Sequence, residues 1–348
     1  MAPLSYQQPG LVLRRGGAGA SAQQVRDLQR DLRRLGYLAR GIDGDFGGLT
    51  ELAVKGLQYD LLRNTGAGSD GAAPVKLTDF NRGRVTAITG EVDQNVVACL
   101  ADIFDGGQVP TLPSAPDPRQ QNQQIAAQIA AMPSSVVPIP FLEAIFLQES
   151  NLQHFNEPGP GDDDTFITLG LDRNVTDQPH IITSRGYGVG QYTLFHHPPQ
   201  STEINDFMLD VSGNLRRAVT ELKEKFDGFV NGPADTADDR IADFGGGPLR
   251  ACKYSPTDGR FMTDCKQCLL DAGQQDIVKR VTPFFTGSAG VFVSTQYYDM
   301  DRDAAVYRAV PVRAHIGCDW PYAVRRYNGS EINSYHYQVR IFKHLLAL

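Results

Sequence analysis

Ser21-Ala22-Gln23-Gln24-Val25-Arg26-Asp27-Leu28-Gln29-Arg30-Asp31-Leu32-Arg33-Arg34-Leu35-Gly36-Tyr37 is the stretch from which the fold class is read. Ser21, with Gln24 three residues on, has the form of a capping box, in which each residue's side chain bonds a backbone N–H left open by the first helical turn. Val25, Leu28, Leu32 and Leu35 then recur at helical spacing, and Gly36 stands where a helix would stop. Beyond Tyr37, the run Gly41-Ile42-Asp43-Gly44-Asp45-Phe46-Gly47 predicts a tight loop. Leu49, Leu52, Ala53, Leu57 and Gln58 predict a second amphipathic helix, and Val96, Val97 and Leu100 a third, short one. The expected fold class is mainly α, beginning with three short helices around a small leucine core.

Around that stretch, the chain of 348 residues is 41% hydrophobic and 21% charged, a globular composition. At roughly 150 residues per domain, the length predicts two domains. A net charge of −7 argues against general binding of nucleic acid or an anionic membrane. No window approaches the ~18 apolar residues of a membrane span, and Met1 to Gly10 lacks the basic-then-apolar pattern of a secretory signal. The first 105 residues hold 12 basic and 12 acidic residues, so the negative excess lies beyond them. Residues 106–118, rich in Pro and Gly and without hydrophobic periodicity, read as a semi-stiff linker. The expected organisation is a domain over 1–105, a linker over 106–120 and a second domain over 121–348.

Leu13-Arg14-Arg15-Gly16, Val25 through Tyr37, Ile42-Asp43-Gly44-Asp45-Phe46-Gly47 and Thr50 through Gln58 follow one another in an order that resembles the peptidoglycan-binding domain-1 family. The resemblance covers about residues 11–62 and resumes at Ile88-Thr89-Gly90-Glu91-Val92-Asp93 after an atypical insertion at 64–85. It implies a three-helix module that binds wall glycan or stem peptide, with the 41–47 loop and Arg40 as rim candidates; a recycled scaffold that binds something else is the alternative.

Pro138-Ile139-Pro140 predicts a helix starting at or just after Pro140. Leu142, Ile145, Phe146 and Glu149 fall at i, i+3, i+4 and i+7, so one stripe carries three large apolar residues and one carboxyl. Glu143 lies off that stripe and reads as a solvated acid. Desolvation of Glu149 would favour its neutral form, the state required of a general acid in glycoside cleavage. A structural Glu paired with an Arg is the alternative reading.

Three pieces place that carboxyl in a family context. Ala144-Ile145-Phe146-Leu147-Gln148-Glu149-Ser150-Asn151 resembles the "ES-N" helix end of lysozyme-like lytic transglycosylases. Ser184 through Tyr192 resembles their "G-x-G-x-x-Q" segment, closest to goose-type lysozymes. Ala323-Val324-Arg325-Arg326-Tyr327-Asn328-Gly329 resembles their "YN-x-G" motif, with its Gly one residue early. The resemblance implies a lysozyme-like, mostly helical catalytic domain with insertions, cleaving the MurNAc-GlcNAc β-1,4 bond. Glu149 is then the catalytic acid, and Ser150, Gly188, Gln191, Tyr192, Tyr327 and Asn328 contact substrate. Glycines admit a sugar where a Cβ would clash, and Gln191 both donates and accepts. A transglycosylase would form a 1,6-anhydro product with one carboxylate. A hydrolytic lysozyme or chitinase-like enzyme needs a second, for which Asp177 is the choice among Asp162, Asp163, Asp164, Asp172 and Asp177; the 162–164 run by itself reads as a solvated acidic turn.

The expected setting is the periplasm or cell wall, reached as a secreted effector or a phage-type endolysin. Peptidoglycan is the expected partner, an immunity or inhibitor protein a further one, and neither nucleic acid binding nor membrane insertion is expected. A non-catalytic wall-binding structural protein is the rival. No cofactor and no metal site is expected: Asp299-Met300-Asp301-Arg302-Asp303 lacks the Gly and terminal acid of a calcium loop, and His196-His197 has no acids at ligand spacing. Cys252, Cys265, Cys268 and Cys318 are open to disulfide, thiol or zinc readings. Cys99 reads as a small buried hydrophobe, and Trp320 as a groove or core residue.

Overall fold

The computed structural model describes residues 3–132 and 139–229, and beyond them residues 291–292, 310–311, 323–324, 327–328, 337, 340–341, 344 and 347. In chain order its elements are α1 (Ala22–Arg34), α2 (Gly48–Arg63), β1 (Ala67–Gly68), β2 (Gly71–Ala72), α3 (Thr78–Asn81), α4 (Gln94–Gly106), α5 (Pro118–Gln123), α6 (Ile125–Ala130), α7 (Ile139–Ser150), β3 (Leu169–Asp172), β4 (Ser184–Tyr187), β5 (Tyr192–Leu194), α8 (Ser201–Glu203), a π-helical turn (Ile204–Leu209), α9 (Val211–Phe229), β6 (Val291–Phe292) and β7 (Val310–Pro311). The chain is mainly α and divides into two compact units, residues 1–125 with 152–215 and residues 126–151 with 216–348.

In the first unit, the capping box forms: Ser21 Oγ accepts from Gln24 N at 3.2 Å, and Gln24 Oε1 accepts from Ser21 N at 2.9 Å. Val25, Leu28 and Leu32 of α1 are buried. Gly36, at φ +76°, turns the chain out of the helix while Tyr37 N bonds Leu32 O. The buried face of α2 is Ala53, Val54, Leu57 and Leu61; Leu49, expected in the core, is exposed. α4, capped by Asp93 on Asn95 N and Val96 N, adds Val96, Val97, Leu100, Ile103 and Phe104. These three helices share one apolar cluster, into which Cys99 is also buried.

Residues 106–120 are packed against this unit rather than extended as a linker. Val109, Leu112 and Ala115 are buried. Leu112 N bonds the Arg34 carbonyl at the end of α1 (2.7 Å), Ala115 N bonds Thr165 O (2.9 Å) and Ile167 N bonds Pro113 O (3.0 Å). The open carbonyls of a helix end need partners, and this segment supplies one. It leads to a second apolar cluster around Phe155, Ile167, Leu169, Tyr187 and Phe207, on the antiparallel sheet β3-β4-β5, with Gly170 opposite Gly186 and Tyr187 opposite Tyr192.

The acidic run at 162–164 is not a solvated turn. Asp164 forms an ion pair with Arg33 at 2.9 Å, with side chains 1% and 0% exposed. Asp163 pairs with Arg30 at 2.7 Å, and Asp162 accepts from Ile42 N in the 41–47 loop at 2.8 Å. A basic face on α1 that the chain could have shown to water is instead met by carboxylates from the same unit. Arg185 on β4 repeats the device: buried, it donates to Gly36 O (3.0 Å) and pairs with Asp60 (3.4 Å).

In the second unit, α7 starts one residue before Pro140. Leu142, Ile145 and Phe146 are buried as the stripe predicts, and so are Phe141 and Ala144. Ala218 and Leu222 of α9 are buried, as are Ala323, Val324, Tyr337 and Ile341.

Candidate functional site

Glu149 is in the last turn of α7, partly buried, as is Glu143. Its Oε1 accepts a hydrogen bond from the hydroxyl of Tyr337 at 2.6 Å. The Tyr337 ring stacks on Tyr327, centroids 6.4 Å apart and planes at 22°. One residue back, Gln148 Oε1 stands 3.4 Å from His344 Nε2. The carboxyl and the tyrosine of the YN motif thus belong to one cluster in the second unit, with Tyr337 between them.

Two carboxylates act on these rings. Burial, and then the negative charges of Glu149 and Glu221, push the Tyr337 hydroxyl well above its ordinary range; for Tyr327 burial again leads, followed by Glu221 and Glu149. The Glu221 carboxyl on α9 is itself pushed up by burial and by Glu224, against the pull of Lys225 at 3.8 Å. Both tyrosines remain neutral throughout the physiological range, and Tyr337 is the one that donates to Glu149.

The remaining motif residues around Glu149 have local structural work. Ser150 Oγ donates to Phe146 O at 3.0 Å. Asn151, at φ +54°, bonds Leu147 O and ends the helix in the left-handed region that Asn tolerates. Asn328 is exposed.

Gly188, Gln191, Tyr192 and Asp177 belong to the first unit, so the structure groups the expected site residues in two sets. Gly188 has φ +71°, and a Cβ there would stand 2.6 Å from His154 Cε1 and 2.7 Å from Asn214 Nδ2. Its glycine is therefore required by packing inside the unit. His154 and Asn214 are fully buried and fix the turn: Val189 N bonds His154 Nδ1, Gly190 N bonds Asn214 Oδ1, and Asn214 Nδ2 bonds Tyr187 O. Gln191 Nε2 donates to Gly188 O at 2.7 Å, so this amide closes the turn itself. Tyr192 packs edge-on against Phe207 at 4.9 Å. Asp177 is exposed in the β3–β4 connection.

Tyr337 and Glu221 were not anticipated. Tyr337 has a weak cue, since Tyr337, Arg340, Ile341 and His344 fall at i, i+3, i+4 and i+7. Glu221, three residues after Ala218, is one charged position among many. His196, which has no acids at metal-ligand spacing in the sequence, is held between Asp70 (Nδ1, 3.0 Å) and Glu203 (Nε2, 2.9 Å). Each carboxylate takes a different ring nitrogen, and no group of three His, Cys, Asp or Glu among the described residues could hold a metal. Cys252, Cys265, Cys268, Cys318, Asp299 to Asp303, Trp320 and Gly329 lie outside the described residues.

A family model described as "Putative peptidoglycan binding domain" matches residues 21–61, from the cap of α1 to the end of α2. No curated protein and no solved structure matches the chain. The match associates the chain with the cell wall and makes peptidoglycan the partner of its N-terminal region. No helix among the described residues is long and apolar enough to cross a membrane.

Proposed function

We propose that the chain is a peptidoglycan-cleaving enzyme in which Glu149 is the general acid and base. The observation that carries this reading is the Tyr337 hydroxyl on Glu149 Oε1 at 2.6 Å, at the end of an apolar helix. A hydroxyl that stays protonated holds the carboxyl in one orientation and, as a donor, favours the ionised form that takes up a proton in the second step. Glu149 would give its proton to the leaving O4 as the bond from C1 to O4 breaks, with the substrate's acetamido group stabilising the oxocarbenium-like centre. The same carboxylate would then take the proton of the muramyl 6-hydroxyl as the bond from O6 to C1 forms, giving a 1,6-anhydro product. Action in the periplasm or wall, as a secreted effector with an immunity partner or as a phage-type endolysin, belongs to the same proposal.

A hydrolytic second reading needs a second carboxylate: within the second unit Glu221, whose charge acts on both tyrosines together with that of Glu149, is a candidate for the water-activating group beside the Asp177 that the sequence offers. Digestion of purified sacculi by wild type and Glu149→Gln, with products read by mass spectrometry, tests both. Anhydro products that vanish in the variant support the first, and reducing ends that vanish in both Glu149→Gln and Glu221→Gln support the second. Sacculi that are bound but never cut replace both with a wall-binding structural protein.

A further inference from the structure

The turn Arg14-Arg15-Gly16 and the loop Thr89-Gly90-Glu91 border an open groove of about 420 Å³ in the first unit, which Glu51 of α2 also lines. Both borders are pinned. Leu13 and Val92 exchange backbone hydrogen bonds at 3.1 and 2.9 Å. The buried Gln58 accepts from Thr89 N and Gly90 N at 2.9 and 2.8 Å, and donates to Thr89 Oγ1 and Glu91 O at 3.0 and 2.9 Å. Four bonds to one buried amide set the loop's shape before any ligand arrives, which lowers the ordering cost of binding. Gly90, at φ +78°, allows the close approach: a Cβ there would stand 2.8 Å from Lys55 Cε and 2.9 Å from Glu51 Cγ.

The charges along the groove alternate. Arg14 pairs with Glu91 at 3.2 Å and Arg15 with Glu51 at 3.8 Å, the two arginine side chains being 57% and 68% exposed. Exposed pairs of this kind contribute about 0–1 kcal/mol, so a ligand displaces them at little cost; Lys55 Nζ holds Glu51 Oε1 at 2.5 Å, which leaves the Oε2 facing Arg15 as the oxygen open to a ligand. A guanidinium has five N–H donors in a planar fork, more than these contacts use. The lining contains two cations and two anions and no aromatic ring. Hydroxyls and acetamides of a neutral glycan gain little from a field that changes sign along the groove, whereas a ligand with carboxylates and an amine gains at both ends.

We propose that this groove is the docking site for the peptide part of peptidoglycan, a short zwitterionic peptide whose carboxylates are taken by Arg14 and Arg15 and whose amine is taken by Glu51 and Glu91. The assignment rests on the cell-wall association of the N-terminal region and adds which half of the polymer is recognised and where. It places the peptide on this groove, whereas the sequence offers the 41–47 loop and Arg40 as the rim.

The test is calorimetric titration of the full chain with three probes: a stem tetrapeptide released from sacculi, the same peptide with its amines acetylated, and chitotetraose. The tetrapeptide binds, with affinity falling as salt is raised. Acetylation weakens it, and Arg14→Gln/Arg15→Gln weakens it by about tenfold or more, as loss of two charge-assisted contacts requires; an unchanged melting temperature establishes that the variant is folded. Chitotetraose gives no saturable heat. Equal binding of tetrapeptide by wild type and variant, or binding of chitotetraose in its place, overturns the assignment. Co-sedimentation with sacculi separates the two levels. Sacculi retained without tetrapeptide binding refute the groove alone, while sacculi not retained refute the wall association on which it rests.

Discussion

Replacing Asp164 by Ala exposes the largest single liability in the first unit. Arg33 is 0% exposed; its Nε bonds Asp164 at 2.9 Å and its Nη2 bonds Ile167 O at 2.5 Å. Its Nη1 has no partner among the described residues, and burial already pulls its pKa down against the support of Asp164. Without the carboxylate, a buried cation is left uncompensated, at a cost of about 3–5 kcal/mol. Asn156 Nδ2 (2.8 Å) and Phe166 N (3.1 Å) lose an acceptor as well, which places the expectation at the upper end. In a unit of this size the midpoint falls by roughly 2–4 °C per kcal/mol, so Asp164→Ala should lose on the order of 10–20 °C by calorimetry. Arg33→Met/Asp164→Leu should recover most of that loss, because replacing both charges by apolar groups removes the desolvation penalty with the attraction. A loss below about 1 kcal/mol in Asp164→Ala, or a double variant no better than the single, would refute the account of Arg33 as a buried charge dependent on this partner.

Three further outcomes follow from the same unit. His154, buried against Met208 O, has its pKa pulled down to about 4 by burial; the stability it contributes as a neutral ring is present above about 6.5 and lost as pH falls through 4, about 3 kcal/mol in all. Urea unfolding at pH 7 and pH 4.5 should register this loss, and His154→Gln should reduce the pH dependence. His196 runs the other way: burial pulls its pKa down, but the bonds to Asp70 and Glu203 outweigh that and raise it. Its contribution is complete below about 6.5 and lost as pH rises through the raised value, so an alkaline loss of stability should be absent in His196→Gln. Gly188→Ala forces a Cβ against His154 and Asn214 at a left-handed φ and should cost about 2–5 kcal/mol; an unshifted melting curve would mean the turn relaxes freely.

The elements that were legible are those whose causes lie within one turn or one stripe. The Ser21–Gln24 cap, the Val25-Leu28-Leu32 face and the Gly36 stop are set by neighbours three or four residues away, and so is the placing of Glu149 at the end of an apolar helix. Leu49 misled because an apolar residue in the first turn of a helix fits either side of the stripe until a partner surface is known. Residues 106–118 misled because Pro and Gly abolish periodicity without preventing packing.

By itself, then, the sequence determined the mainly α character, the first two helices with the loop between them, the peptidoglycan-binding signature at 21–61, and the place of Glu149 in the last turn of an apolar helix. The tertiary structure alone decided who meets whom over long separations: Arg33 with Asp164, His196 with Asp70, Tyr337 with Glu149. It also decided that the space beside Gly188 is filled by His154 and Asn214. Helical periodicity reports only which face of an element avoids water. These pairs join residues more than a hundred positions apart and the approach at Gly188 joins residues 26 and 34 positions apart, and no local pattern encodes the partner's identity.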